Sequence, residues 1–277
     1  MVTSVSFESK CSCFLEIFFS TENTDEEADF SAKASGFFWR YEGDVYLITN
    51  RHNVTGRNSQ NELIKQCMPT RLWAYFMHLA EDGPEPETFL YKQQALEYTL
   101  WENGNPDWQE HPKGAEIDVV AMQLKGLPYD VQCINDKAQY DWSPMAGDDC
   151  FIIVYPQGLT AANKTPIWKR ASIATEPELP FNNEPLFLCD TATREGMSGA
   201  MVVAKIVGNF GKEGRDFDSN NRPQFFGYWT RFLGVYSGRN GDEEDGFQLG
   251  RVWHAKLVEE IVSNKSVPEP PWIPRLS

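Results

Sequence analysis

Short apolar runs broken by turn residues dominate the chain, and most have strand length. "CFLEIFFS" (13–20) is the first. "ASGFFWRYEGDVYLITN" (34–50) holds two apolar runs around "EGD", the pattern of a β-hairpin. "RLWAYFMHL" (71–79) and "ETFLYKQQALEYTLW" (87–101) predict two more strands, separated by a polar stretch, and "EIDVVAMQL" (116–124) a short one. A turn-rich stretch with few apolar runs follows and reads as a linker over 128–147. Beyond it, "CFIIVYPQGL", "WKRASIAT", "PLFLCDT", "GAMVVAKIV" and "YWTRFLGVYSG" again read as strands. The period changes only in "HAKLVEEIVSN" (254–264), where Leu257, Val258, Ile261 and Val262 form a helical stripe. The Pro-rich end, "VPEPPWIPRLS", predicts an extended strap.

The expectation is an all-β chain: an N-terminal barrel over 1–127, the linker 128–147, a second barrel over 148–253, and a helix with its tail over 254–277. Short strands with frequent turns favour closed barrels or sandwiches. The two halves share no sequence repeat.

Composition narrows the function. The 277 residues are 41% hydrophobic and 13% aromatic, with nine Trp and eighteen Phe, which predicts packed cores and not disorder. The net charge of -15 and pI of about 4.7 have the wrong sign for neutralising nucleic-acid phosphates or anionic membranes. No apolar run approaches the ~18 residues of a membrane span. The N-terminus lacks a basic segment and a small-residue cleavage site, so no signal peptide is expected. The six Cys show neither a CxxC pair nor zinc spacing, which predicts free thiols in a reducing, cytoplasmic setting and no metal. Neither "NTDEEAD" nor "GDEEDG" has EF-hand spacing, and both read as solvated loops. No phosphate loop or dinucleotide fingerprint is present, so no cofactor is expected.

Three motifs carry candidate chemistry. His52 follows a strand in "TNRHNV", Asp118 opens one in "EIDVVAM", and Ser198 lies between glycines in "REGMSGAMVV". Taken singly, each fits a structural role: a satisfied histidine, a strand-edge carboxylate, a tight turn. Together, in this order and in an all-β chain, they form a His, Asp, Ser constellation in which a weak hydroxyl nucleophile has a base and the base has an orienting carboxylate. The remaining histidines, His78, His111 and His254, are expected to be structural or surface residues, with His254 opening the last helix.

The chain resembles the trypsin-like serine peptidases, which have two six-stranded antiparallel barrels of chymotrypsin type with the active site between them. "LITNRHNV" is similar to the family's strand-end histidine motif, "IDVVAMQL" to its aspartate strand, and "GMSGAMV" to its nucleophile loop. "YPQGL" resembles the segment opening the second barrel in bacterial HtrA-like members, and "RFLGVYSGRNG" resembles the strand that flanks the substrate. The resemblance runs over roughly residues 12 to 265, and because the sequence ends soon after its helix no attached PDZ-like domain is expected. It implies His52, Asp118 and Ser198 as the triad of a serine endopeptidase, with an oxyanion hole formed by the N–H groups of Gly196 and Ser198. It implies Ser237 as a partner of the triad carboxylate, with Gly238 and Arg239 beside the substrate backbone. Ala192 falls where trypsins carry a pocket aspartate, so a Lys/Arg preference is not implied.

Met197 departs from the secreted members, whose aspartate there pairs with a new N-terminus. The oxyanion loop is therefore expected to be held by packing or by a bound partner, and an activating protein partner beside the protein or peptide substrate fits that picture. Arg239 and Arg251 lie in segments expected to wall the specificity pocket. Either they favour an acidic or polar P1 residue, or they face solvent or pair with Asp242 to Asp245. A long polar insertion, Phe210 to Gln224, is expected to rim the cleft. Two other functions stay open here: a silent binding module on a peptidase scaffold, and an esterase using the same triad.

Overall fold

The computed structural model describes residues 5–20, 31–58, 60–64, 68–82, 89–127, 129–137, 142–210, 225–241 and 247–268. The acidic stretch 23–29, Cys67, most of the long insertion, Asp242 to Asp245 and the tail beyond 268 lie outside them.

A short helix α1 (Phe7–Cys11) leads into strands β1 (Ser12–Ser20), β2 (Ser31–Tyr41) and β3 (Asp44–Thr49). The β2–β3 hairpin turns on Glu42 and Gly43, both at positive φ (51° and 90°), as a two-residue turn matching the strand twist requires. A one-turn helix α2 (Arg51–Thr55) follows β3 directly. The long hairpin β4 (Met68–Asp82) and β5 (Phe89–Thr99) pairs back onto β1. The short strands β6 (Trp101–Glu102), β7 (Asn105–Pro106) and β8 (Gln109–Glu110) precede β9 (Val120–Gln123). The second half contains β10 (Asp149–Val154), β11 (Ile167–Ile173), β12 (Leu186–Asp190), β13 (Met201–Phe210), β14 (Phe225–Arg239) and β15 (Leu249–His254), then α3 (Lys256–Asn264).

The second half closes as a six-stranded barrel in the order β10-β11-β12-β15-β14-β13. The first half corrects the expectation of two closed six-stranded barrels. It is a seven-stranded sheet, β5-β4-β1-β2-β3-β9-β8, whose end strands β5 and β8 do not pair with each other among the described residues. Strand β8 has only two residues, too few to ladder across to β5. The opening is sealed by side chains. Leu100 and Trp108 are buried in the first core, Trp101 packs edge-on against Trp108 at 4.9 Å, and Asp107 N–H donates to Leu100 O at 2.9 Å.

The hydrophobic positions fill three cores. One lies within each half, and the third lies between them. The stripe of α3 is buried in this third core, against β2, β8 and β9 of the first half. The helix begins at Lys256, so His254 ends β15 instead of opening the helix, and its ring stacks on Phe187. His78 packs at a tilt against the ring of Tyr129, and His111 meets Glu260 of α3 at 3.0 Å.

The segment read as a linker is packed down. Arg40 N–H donates to Asn135 Oδ1 at 2.9 Å, and Asn135 Nδ2 returns a bond to Arg40 O at 2.7 Å. Val131 and Cys133 enter the first core.

Candidate active site

His52 sits in α2 because β3 ends at Thr49 and the chain turns at once. Gly56 ends the helix in the left-handed conformation, with φ 66° and its N–H on His52 O at 2.9 Å. The neighbouring Arg51 is buried beneath this turn. Its Nε lies 3.1 Å from Glu110 Oε1, with both side chains under 5% exposed, and Trp108 Nε1 donates to the same oxygen at 3.0 Å. This pair ties α2 to the β8 edge.

Asp118 lies two residues ahead of β9. Its Oδ1 accepts from His52 N–H at 2.9 Å and its Oδ2 lies 2.7 Å from His52 Nδ1. Ser237 Oγ, from the bulged end of β14, donates to the same Oδ2 at 2.9 Å. Asn50 Nδ2 donates to the Asp118 backbone carbonyl at 2.6 Å. The sequence thus brings together three of its expected residues at hydrogen-bond distance.

Burial and Arg251 both disfavour a charged imidazole, but the Asp118 carboxylate outweighs them and holds the His52 pKa above the ordinary 6.5. Burial works against the charged carboxylate too, yet His52 and Ser237 hold the Asp118 pKa below its usual value. Each side chain thus stabilises the charged form of the other, the protonated imidazole beside the ionised carboxylate.

Ser198 faces His52 from the second half. Two adjoining clefts of about 270 and 260 Å³ meet at these two residues, which line both. Asp118, Ser237, Glu184, Arg251 and Trp253 line the first, and Ile17, Phe19, Lys33, Glu195 and Gly196 the second. A Cβ on Gly238 would lie 4.0 Å from Ser198 Oγ, so the backbone of residue 238 passes beside this hydroxyl.

The loop that carries Ser198 is held by close packing. Met197 is fully buried in the second core, and its Sδ accepts from Arg194 N–H at 3.2 Å. Gly196 has φ 85°, and a Cβ there would lie 2.6 Å from Tyr155 O.

The three segments expected to wall a specificity pocket are joined by backbone bonds. Thr191 N–H donates to Gln248 O at 2.8 Å and Asn240 N–H to Leu249 O at 2.8 Å. Arg239 pairs with Gly250 across β14 and β15. Ala192 lies two residues beyond the end of β12 and lines neither of the two clefts. Arg251 points into the first cleft instead, where its guanidinium engages both oxygens of Glu184 at 3.1 and 3.2 Å and stacks over Trp253 at 5.3 Å. Its partner is thus Glu184, which sequence reasoning did not single out. Ser35, Asn50, Glu110 and Gln157 were also missed. "ASGF" was read only as strand, Asn50 and Gln157 lie inside "TNRHNV" and "YPQGL" without having been given a role there, and Glu110 lies in no quoted motif.

The family model for trypsin-like peptidase domains matches residues 34–208. No curated protein matches the chain by sequence. Among solved structures, a thermostable serine protease from an extremophilic microorganism is 12% identical with a TM-score of 0.49, over 94% of this chain and 99% of that one. The active form of the Mycobacterium tuberculosis Rv3671c protease is 13% identical with a TM-score of 0.43, over 95% and 84%. The protease Anisep of Arthrobacter nicotinovorans is 12% identical with a TM-score of 0.45, over 94% and 97%. The family match spans more than half of the chain, including all three candidate residues, and the chain belongs to the trypsin-like peptidase domain family.

Proposed function

We propose that the protein is a serine endopeptidase that works through Ser198, His52 and Asp118. The observation that carries this reading is the Asp118–His52–Ser237 hydrogen-bond set at the junction of two clefts that Ser198 also lines. His52 Nε2 takes the Ser198 proton as Oγ attacks the scissile carbonyl, and the imidazolium formed is stabilised by Asp118. The oxyanion of the tetrahedral intermediate meets the N–H groups of Gly196 and Ser198. His52 then protonates the leaving amine, leaving an acyl-enzyme, and activates the water that hydrolyses it.

The bulged stretch Ser237–Arg239 brings its backbone beside Ser198, where it can pair with a substrate strand. An acidic side chain reaching Arg251 must compete with Glu184 for the guanidinium. An intracellular setting is supported by five buried, unpaired cysteines among the described residues, Cys11, Cys13, Cys133, Cys150 and Cys189. No helix among the described residues is long and apolar enough to cross a membrane.

The test is a fluorophosphonate probe read by intact mass. A single adduct on wild type that disappears in Ser198→Ala is the expected outcome. An adduct that persists in the variant, or none on folded wild type, overturns the reading.

A further inference from the structure

The oxyanion loop is fastened from the opposite half of the molecule. Ser35, on β2, is fully buried. Its Oγ donates to Gly196 O at 2.8 Å and accepts from Tyr155 N–H at 3.1 Å. Its N–H donates to Ser198 O at 2.9 Å, and its carbonyl accepts from Thr49 Oγ1 at 2.9 Å. One small residue of the first half thus grips the loop on both sides of Met197 and the turn that follows β10.

That turn supplies a second grip. Gln157, held at φ 52°, donates its N–H to Glu195 O at 2.7 Å, and Lys33 Nζ donates to Gln157 O at 3.2 Å. In a trans peptide the carbonyl and the following N–H point in opposite directions. Fixing Glu195 O on Gln157 therefore turns the Gly196 N–H the other way. The bond from Ala200 N–H to Met197 O, 3.2 Å, does the same for the Ser198 N–H. Rotating the Gly196–Met197 peptide would leave the buried Ser35 hydroxyl without its acceptor. A Cβ on Gly199 would lie 2.1 Å from Ser35 O, so the loop and β2 are in direct contact here.

We propose that Ser35 is a positioning residue that keeps the oxyanion loop in its working conformation, making the site competent without an activating cleavage or partner. The proposal rests on Ser198 being the nucleophile, and its test separates the two.

Fluorophosphonate labelling rates are measured against pH for wild type, Ser35→Ala and Ser35→Cys, with melting temperature and hydrogen exchange of the 194–200 segment. The cysteine keeps the volume but is only a weak donor. Both variants are expected to label about 10- to 100-fold more slowly at the plateau, somewhat less than the loss of an oxyanion donor itself. The pH midpoint should not move, because neither variant touches His52 or Asp118, and exchange in 194–200 should speed up. Labelling within twofold of wild type overturns the proposal, and so does a shifted midpoint accompanied by a large loss of melting temperature. If wild type takes no adduct while its loop is protected and the variants lose that protection, the nucleophile reading fails and the grip of Ser35 stands. A wild-type loop that exchanges freely overturns the proposal whatever the labelling.

Discussion

In the first half the candidate side chains are held by charge. Arg51 and Glu110 form a buried ion pair under α2, and His52 lies between that turn and the Asp118 carboxylate. In the second half the nucleophile loop is held by shape: Met197 fills the core, and Gly196 and Gly199 allow backbone contacts that a Cβ would block. The contrast follows from what each group must do. A base must be tuned, and tuning needs charges at fixed distance. A nucleophile flanked by oxyanion donors must be placed, and close packing places a backbone without altering its charge. The two schemes should therefore fail in different ways.

The largest effect is expected from Asp118→Asn. It should lower the fluorophosphonate rate by about 10⁴-fold, as removal of a triad carboxylate does. It should also move the pH profile. Labelling needs neutral His52, so the raised His52 pKa places the wild-type rise above pH 6.5. Without the carboxylate, burial and Arg251 remain, and the midpoint should fall. A midpoint that stays in place breaks the claim that charge tunes the first half.

Glu110→Ala comes next, because it removes the carboxylate that faces a buried guanidinium, and should cost about 3–5 kcal/mol in urea unfolding. The double variant Arg51→Met/Glu110→Leu should recover most of that loss. If it does not, the pair does more than neutralise itself.

Met197→Ala should destabilise by about 2–5 kcal/mol through the cavity it leaves, while Met197→Leu should cost under about 1.5 kcal/mol. The labelling midpoint should not shift in either. Thermal melts and pH profiles on the same samples would show whether shape and charge are separable.

Ser237→Ala removes one charge-assisted bond to Asp118, worth about 1.5–3 kcal/mol, and should slow labelling by about 10- to 100-fold. At the far end, Lys125→Ala breaks an exposed pair with Asp107 at 3.4 Å and should leave unfolding within about 1 kcal/mol of wild type.

Much of this was legible in the residues. The β2–β3 hairpin, the strands of both halves and the stripe of α3 were visible as apolar periodicity. His52, Asp118 and Ser198 were visible because each sits at a strand boundary with a local signature. Other features left no local trace. Strand β15 was not read as a strand, since "LGRVWH" is short and carries Gly250 and Arg251; Gly250 is there because Tyr236 crosses it, and a Cβ would lie 2.4 Å from the ring. The open edge of the first sheet was hidden because ladder closure depends on β8 meeting β5, a non-local pairing. Ser35 reads as one more strand residue until its four partners are in place.

The sequence by itself determined which segments are strands, which face of α3 is buried, and which residue types could supply a nucleophile, a base and a carboxylate, because these follow from side-chain period and chemistry within a few positions. Tertiary structure alone decided that one half closes and the other does not, that Arg251 meets Glu184, and that a buried serine on β2 reaches Gly196 and Tyr155. Those outcomes turn on hydrogen bonds and contacts between residues tens to more than a hundred positions apart, and direction and distance at that range exist only once the chain has folded.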